Sequence, residues 1–153
     1  MFRLKGFAVR APGAAAAFDP EEVSDRLARA YDALHEMAAD DMLPFMPSRT
    51  GAFRQRTRAA NQAMIGSGQI YAGVGPMGQY LYRNRAMVDA ATGKGPRFIP
   101  GVGPRFEKGA SLTATGRPLR YSDAGARAAW FEYAKARRIR RWIDGVQAIL
   151  DGR

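Results

Sequence analysis

Apolar residues recur at spacings of three and four after position 22: Val23, Leu27, Ala30, Tyr31, Leu34 and Ala38 make one stripe, the mark of an amphipathic helix. Asp19 is a good N-cap, Pro20 suits the first helical position, and Glu22 completes a capping-box pattern. Glu21, Glu22 and Asp25 stand where the backbone N–H groups of a helix favour negative charge. A first helix over 20–41 follows. The other strong stripe comes late: Trp130, Phe131, Ala134, Ile139, Trp142, Val146 and Ile149 give one apolar side to a final helix over 124–150, with Asp123 as its cap.

Between the helices the pattern changes. The segment 42–58 reads MLPFMPSRTGAFRQRTR. Pro44 and Pro47 lack an N–H and restrict the residue before them, so the chain should leave the first helix in an extended, irregular way. Thr50 and Gly51 read as a turn, with Gly51 free to take a positive φ. Beyond it, Phe53, Gln55, Thr57 and Ala59 alternate with Arg54, Arg56 and Arg58, which predicts a strand with one arginine face. Residues 61–68 read as a turn and 69–74 as a second strand paired with the first in a hairpin or meander. Tyr80, Leu81 and Tyr82 form an aromatic-rich cluster, and 83–90 suits a third strand. From 91 to 118 glycine and proline are dense and no hydrophobic period survives, which is the pattern of a long loop that contacts neighbours. Residues 119–122 return the chain to the sheet. Partial alternation over 1–10 suits an N-terminal strand or arm within 1–18. A single domain over 1–153 results, α+β in class. Its blocks are 1–18, 19–90, 91–118 and 119–153.

Composition narrows the chemistry. The chain has 24 Lys and Arg against 14 Asp and Glu, a formal net charge of +10, one histidine and no cysteine. Disulfides, thiolate metal sites and cysteine nucleophiles are excluded, and His35 alone cannot build an imidazole zinc site. No apolar run is long enough to span a bilayer, and Gly6 and Pro12 interrupt the N-terminal run that a secretory signal would need. The basic excess suits either a polyanion or an acidic protein neighbour. GVGPMG at 73–78 has the glycine spacing of a dinucleotide loop, but Pro76 lies within it and a strong amphipathic helix does not follow. Glu36, Asp40 and Asp41 read as the solvated face of the first helix. His35, beside the apolar stripe, reads as a surface or half-buried side chain. Arg54, Arg56 and Arg58, like the cluster at Arg137 to Arg141, can face water, a phosphate backbone or an acidic patch. The cluster lacks the interleaved aromatics that stack on bases, and no nucleic-acid-binding motif accompanies it. No catalytic, cofactor-binding or metal-binding residue is expected.

Three segments in this order resemble the minor capsid and tail-completion (head–tail joining) proteins of tailed phages. MLPFMPSRTGAFRQRTR resembles their P-Y-V-P-x-x-T-G-x-L corner, with Phe45 and Met46 in place of Tyr-Val. IYAGVGPMGQYLYRNRAMVDAATGKG is similar to Y-x-x-P-Y-A-x-Y-L-Y-x-G-x-x-M-V-D-x-x-T-G, with Arg83 and Asn84 departing from it. RPLRYSDAGARAAWFEYAKARR is similar to K-P-L-x-Y-S…A-x-x-W-F-E-x-A-K. The resemblance spans 20–145. It implies an α+β fold, with a small twisted antiparallel sheet packed by the N-terminal helix and the long C-terminal helix, and a structural virion protein of the neck with no enzymatic activity and no cofactor. Such a protein assembles in the host cytoplasm into a ring, expected to be hexameric, that joins the portal-side connector to the tail. Its neighbours would be connector, stopper or tail-terminator proteins, with DNA contact in the channel and no membrane. The residues expected to carry this role are Pro44, Pro47, Thr50 and Gly51 at the corner, Tyr80, Leu81 and Tyr82 in core or ring contacts, and Trp130, Phe131 and Trp142 as anchors of the last helix. The alternative is a basic nucleic-acid-binding protein using Arg54, Arg56, Arg58 and the late cluster.

Overall fold

The Asp19 side chain accepts a hydrogen bond from the Glu21 N–H at 2.9 Å, and Pro20 opens the helix that follows. In the computed structural model, which describes residues 2–3, 19–100 and 103–152, this helix α1 runs Pro20–Met42. Ala30, Leu34 and Ala38 are buried as the stripe requires, joined by His35, Ala39 and Met42. Leu27 and Tyr31, at the N-terminal end of the stripe, remain exposed.

The prolines give the exit they dictate. One 3-10 turn, Leu43–Phe45, ends in Met46 with extended backbone, and Gly51 takes φ +80°. The predicted strand over 53–59 is not there. Gly51 opens a helix, α2, over Ala52–Gln62. Alternating arginines suggested a two-residue period, yet Ala, Arg and Gln are strong helix formers, and Thr57 is the one β-branched residue in the segment. Thr57 and Asn61, four apart, are the residues α2 buries.

That change redirects the neighbouring chain. β2, Gln69–Ile70, pairs antiparallel with β1, Phe2–Arg3, and not with the arginine segment. The rest of the predicted 69–74 strand lies against α2, where side chains replace a strand partner. Asn61 accepts from the Tyr71 N–H at 2.8 Å and donates to the Tyr71 carbonyl at 2.9 Å, while Thr57 Oγ1 accepts from the Val74 N–H at 3.4 Å. A backbone that leaves the ladder but stays buried must find such partners. The predicted arm at 4–18 lies outside the described residues.

A short helix α3, Pro76–Tyr82, follows, then β3, Met87–Asp89, β4, Arg97–Ile99, β5, Gly103–Arg105, and β6, Leu112–Ala114. β3 pairs with β6 and β4 with β5, both antiparallel. The fold is α+β. Its described strands form three two-stranded ribbons, and α1 packs mainly on the last helix instead of on a continuous sheet. The block 91–118, expected to be loop throughout, contains the β4–β5 hairpin and β6. The return to the ribbon is made by β6 and not by 119–122, which run as irregular chain.

The last helix, α4, is Trp130–Leu150, six residues shorter at its start than predicted. Asp123 does not cap it. Its carboxylate accepts from the Ser48 N–H at 2.6 Å and from Arg54 at 3.2 Å, so the acid is spent on the corner. The chain from 123 to 129 is held by other means: the Arg127 N–H donates to the Phe45 carbonyl and the Ala129 N–H to the Tyr82 carbonyl, each at 2.9 Å. α4 runs antiparallel to α1, with Asp41 beside Arg141 and Trp142, Met37 beside Gly145, and Arg26 reaching the Leu150 carbonyl. Trp130, Phe131, Ala134, Trp142, Val146 and Leu150 close the core against α1. Burying each large side chain contributes roughly 1.5–3 kcal/mol. No helix among the described residues is long and apolar enough to cross a membrane.

Candidate functional site

Three sequence segments, 42–58, 70–95 and 117–138, converge in space around the start of α4. Phe53 from the corner and Tyr82 from α3 both pack their rings edge-on against Trp130, with centroids 6.1 and 4.9 Å away. The Tyr121 hydroxyl donates to the Leu81 carbonyl at 2.6 Å, and the Trp130 indole N–H donates to the Ala72 carbonyl. Burial, followed by the nearby Glu132 carboxylate, pushes the Tyr82 hydroxyl up to about 12. Burial also raises Tyr121. Corner, α3 and α4 entry are therefore one joint.

The corner residues serve that joint. Pro44 and Thr50 are exposed, Pro47 is half-buried, and the Pro44 carbonyl lies where a side chain at Gly125 would touch it. Arg54 donates through Nε to the Met46 carbonyl at 3.0 Å and also grips Asp123, tying both sides of the corner together. Arg58 pairs with Asp40 of α1 at 3.0 Å, while Arg56 is exposed. The predicted common arginine face does not exist. On a helix Arg54 and Arg58 lie one turn apart, and Arg56 points away from both. The strand face of three arginines is therefore absent, and Arg54 and Arg58 each hold a carboxylate.

The clamp makes a prediction. Asp123→Ala and Arg54→Ala should each lower stability by about 1 kcal/mol, modestly because both side chains are about a third exposed. In a double-mutant cycle followed by urea unfolding, they should couple by about 0.5–1 kcal/mol. Strict additivity would mean that Asp123 acts on α4 alone.

Tyr80, Leu81 and Tyr82 are each half-buried on α3, and Trp130, Phe131 and Trp142 are buried on α4. The anchors expected of the last helix are thus core residues. Trp142 donates its indole N–H to Asp41 at 2.8 Å, and Arg141 reaches the same carboxylate at 2.6 Å. Asp41 was expected on a solvated face and instead bridges the two long helices, whereas Glu36 and Asp40 are exposed. His35 is also not where its sequence position suggested. It is 1% exposed, and neither ring nitrogen has a hydrogen-bond partner among the described residues. It lines a cleft of about 230 Å³ with Asp40, Arg58 and Asn61, where Asp40 and Arg58 hold each other and Asn61 is occupied by the Tyr71 backbone. A histidine four residues from a stripe position could have been read as part of a wider buried face.

The described residues hold no group of three or more His, Cys, Asp or Glu placed to share a metal ion. In GVGPMG, Gly73 and Gly78 touch: a side chain on Gly78 would lie 2.8 Å from the Gly73 carbonyl oxygen. Gly75 has φ +77° at the start of α3, which has only seven residues. Gly73 and Gly78 serve close contact within the joint, and Gly75 serves the turn into α3.

Beyond the exposed Leu27 and Tyr31 of α1, two exposed features stand out among the described residues. On α4, Lys135, Arg137, Arg138 and Arg140 face solvent, with Arg137 stacked on Tyr133 at 4.6 Å. On the β4–β5 hairpin, Phe98 and Ile99 are exposed, and Phe98 is covered on one side by the Arg49 guanidinium at 4.9 Å. The 91–118 block was expected to meet neighbouring subunits, and the hairpin is the part of it that presents apolar side chains. No protein-family model, no curated protein and no solved structure matches the chain.

Proposed function

We propose that this chain is a structural protein of the head–tail connector of a tailed phage or phage-derived particle. It acts without catalysis, as one subunit of a ring in the neck. The observation that carries the reading is the convergence of the three family-like segments. Residues far apart in sequence, Met46 to Arg54, Leu81 and Tyr82, and Tyr121 to Trp130, meet in one hydrogen-bonded and aromatic joint. Segments that served chemistry would gather polar groups around a cavity. These gather backbone turns around a tryptophan, as a rigid subunit with projecting surfaces requires. The hairpin, the basic face of α4 and the Leu27–Tyr31 face of α1 are exposed and can meet neighbours.

The test is assembly. Negative-stain images of the purified chain at high concentration, or of particles from a strain carrying its gene, should show rings at the neck, and deleting the gene should leave heads and tails unjoined. A chain that neither forms rings nor binds particles, together with normal joining in its absence, would overturn the reading.

A further inference from the structure

Among the described residues, four of the five exposed large hydrophobic side chains fall into two patches. Leu27 and Tyr31, 37% and 52% exposed, are one turn apart on α1; Phe98 and Ile99, 56% and 41% exposed, are adjacent on β4. Their electrostatic settings are opposite. Eight of the chain's 14 acidic residues lie between Asp19 and Asp41, against two arginines there, although the whole chain carries +10. The hairpin is bordered by Lys94, Arg97, Arg105 and Lys108, with Glu107 the one acid, and all five are exposed. Glu21, Asp25 and Asp32 lie on the flank of α1 next to Tyr31, by helical geometry.

The two patches cannot meet within one molecule. The Arg49–Phe98 contact fixes the hairpin near the corner at the C-terminal end of α1, whereas Leu27 and Tyr31 lie about 20 Å back along that helix at 1.5 Å per residue. We infer that the β4–β5 hairpin of one copy docks on the Leu27–Tyr31 face of α1 in the next copy, a head-to-tail contact with an apolar centre and a basic-on-acidic rim. This rests on the ring reading above and names its interface. Side chains and not strand pairing make the contact. Pro104 lies within β5, and Pro96 and Pro100 flank β4, so both edges of the ribbon lack donors that strand addition needs. Because the two surfaces differ, the contact is heterologous, and repeating it closes a ring when the rotation permits. Opposite charges at the rim set the register and make the contact weaken with salt.

The chain has no cysteine, so engineered thiols report the contact cleanly. A chain carrying both Leu27→Cys and Ile99→Cys, oxidised mildly, should give a ladder of dimers, trimers and longer products on a non-reducing gel, and the ladder should vanish on reduction. Either single variant should stay monomeric. Both positions are exposed, so the fold tolerates the changes, and circular dichroism verifies this. Dimers from Ile99→Cys alone would mean that two hairpins meet each other, and no ladder from the double variant would mean no contact; each overturns the inference. Slow labelling of Tyr31→Cys in the dilute monomer would show that the chain's own residues cover the stripe, which also overturns it. Rings in the wild-type chain without a ladder would remove this interface and leave the ring reading standing. A ladder beside normal neck assembly in the gene's absence would do the reverse.

Discussion

Trp130→Ala is expected to lower stability by about 4–5 kcal/mol, from about a third to nearly all of the total of about 5–15 kcal/mol usual for a domain. Two terms add. Trp130 is 0% exposed and fills the space between Phe53 and Tyr82, so truncation leaves a cavity that rigid neighbours on α2 and α3 cannot collapse. It also removes the indole donor to the Ala72 carbonyl, which leaves a buried acceptor without its partner. Trp130→Phe separates the two terms, since it restores most of the ring and none of the donor. Its expected cost is about 1–2 kcal/mol, the magnitude of an unmet buried hydrogen bond with a small residual void. Urea unfolding followed by circular dichroism measures both, and the midpoint should fall while the slope stays constant. A shift under 1 kcal/mol for Trp130→Ala would mean that the joint is not the keystone of the fold.

The expected effect is large because the joint links segments far apart in sequence, and that also explains what the sequence hid. α1 was legible from Asp19, Pro20 and a stripe with period 3.6, since a helix announces itself through neighbours three and four residues away. The apolar side of α4 was legible for the same reason. The start of α4 was not. Asp123 before a helical run looks like a cap by every local rule, and nothing near it discloses that Ser48 and Arg54 claim its carboxylate first. α2 was misread for a different reason. Arg54, Arg56 and Arg58 suggested a strand, and the quieter signal of Phe53, Thr57 and Asn61 at helical spacing was the true one. Charged side chains are long enough to find partners from either geometry, so their spacing carries less information than that of short buried residues. The β4–β5 hairpin escaped notice because glycine and proline, read as breakers, also build the ends of short ribbons. Of the candidate residues, the core anchors were readable as apolar, but the exposed hairpin patch needed coordinates.

Gly78→Ala tests the same joint from its backbone side. GVGPMG looked like a phosphate cradle by spacing alone, and its glycines have another physical reason. A methyl group on Gly78 would sit 2.8 Å from the Gly73 carbonyl oxygen and 2.9 Å from its carbonyl carbon, closer than Cβ atoms approach backbone. A flexible side chain would swing away, but a backbone strand held by Thr57, by Asn61 and by the Ala72–Trp130 bond cannot. The change should cost about 3 kcal/mol, at the upper end for overpacking, because relief requires moving α3 away from the segment it rests on. Gly95→Ala, where no atom lies within 4 Å of the added methyl, should change stability by less than about 0.5 kcal/mol and so controls for glycine loss itself. If these glycines instead bound a nucleotide, nucleotide would raise the melting temperature of the wild-type chain, and Gly78→Ala would abolish that rise without a comparable loss of stability. The expected result is the opposite pairing: no stabilisation by nucleotide, and a melting temperature lowered by several degrees in Gly78→Ala alone. That pairing would assign the motif to the close packing of α3 on the chain after β2, which holds Tyr82 against Trp130.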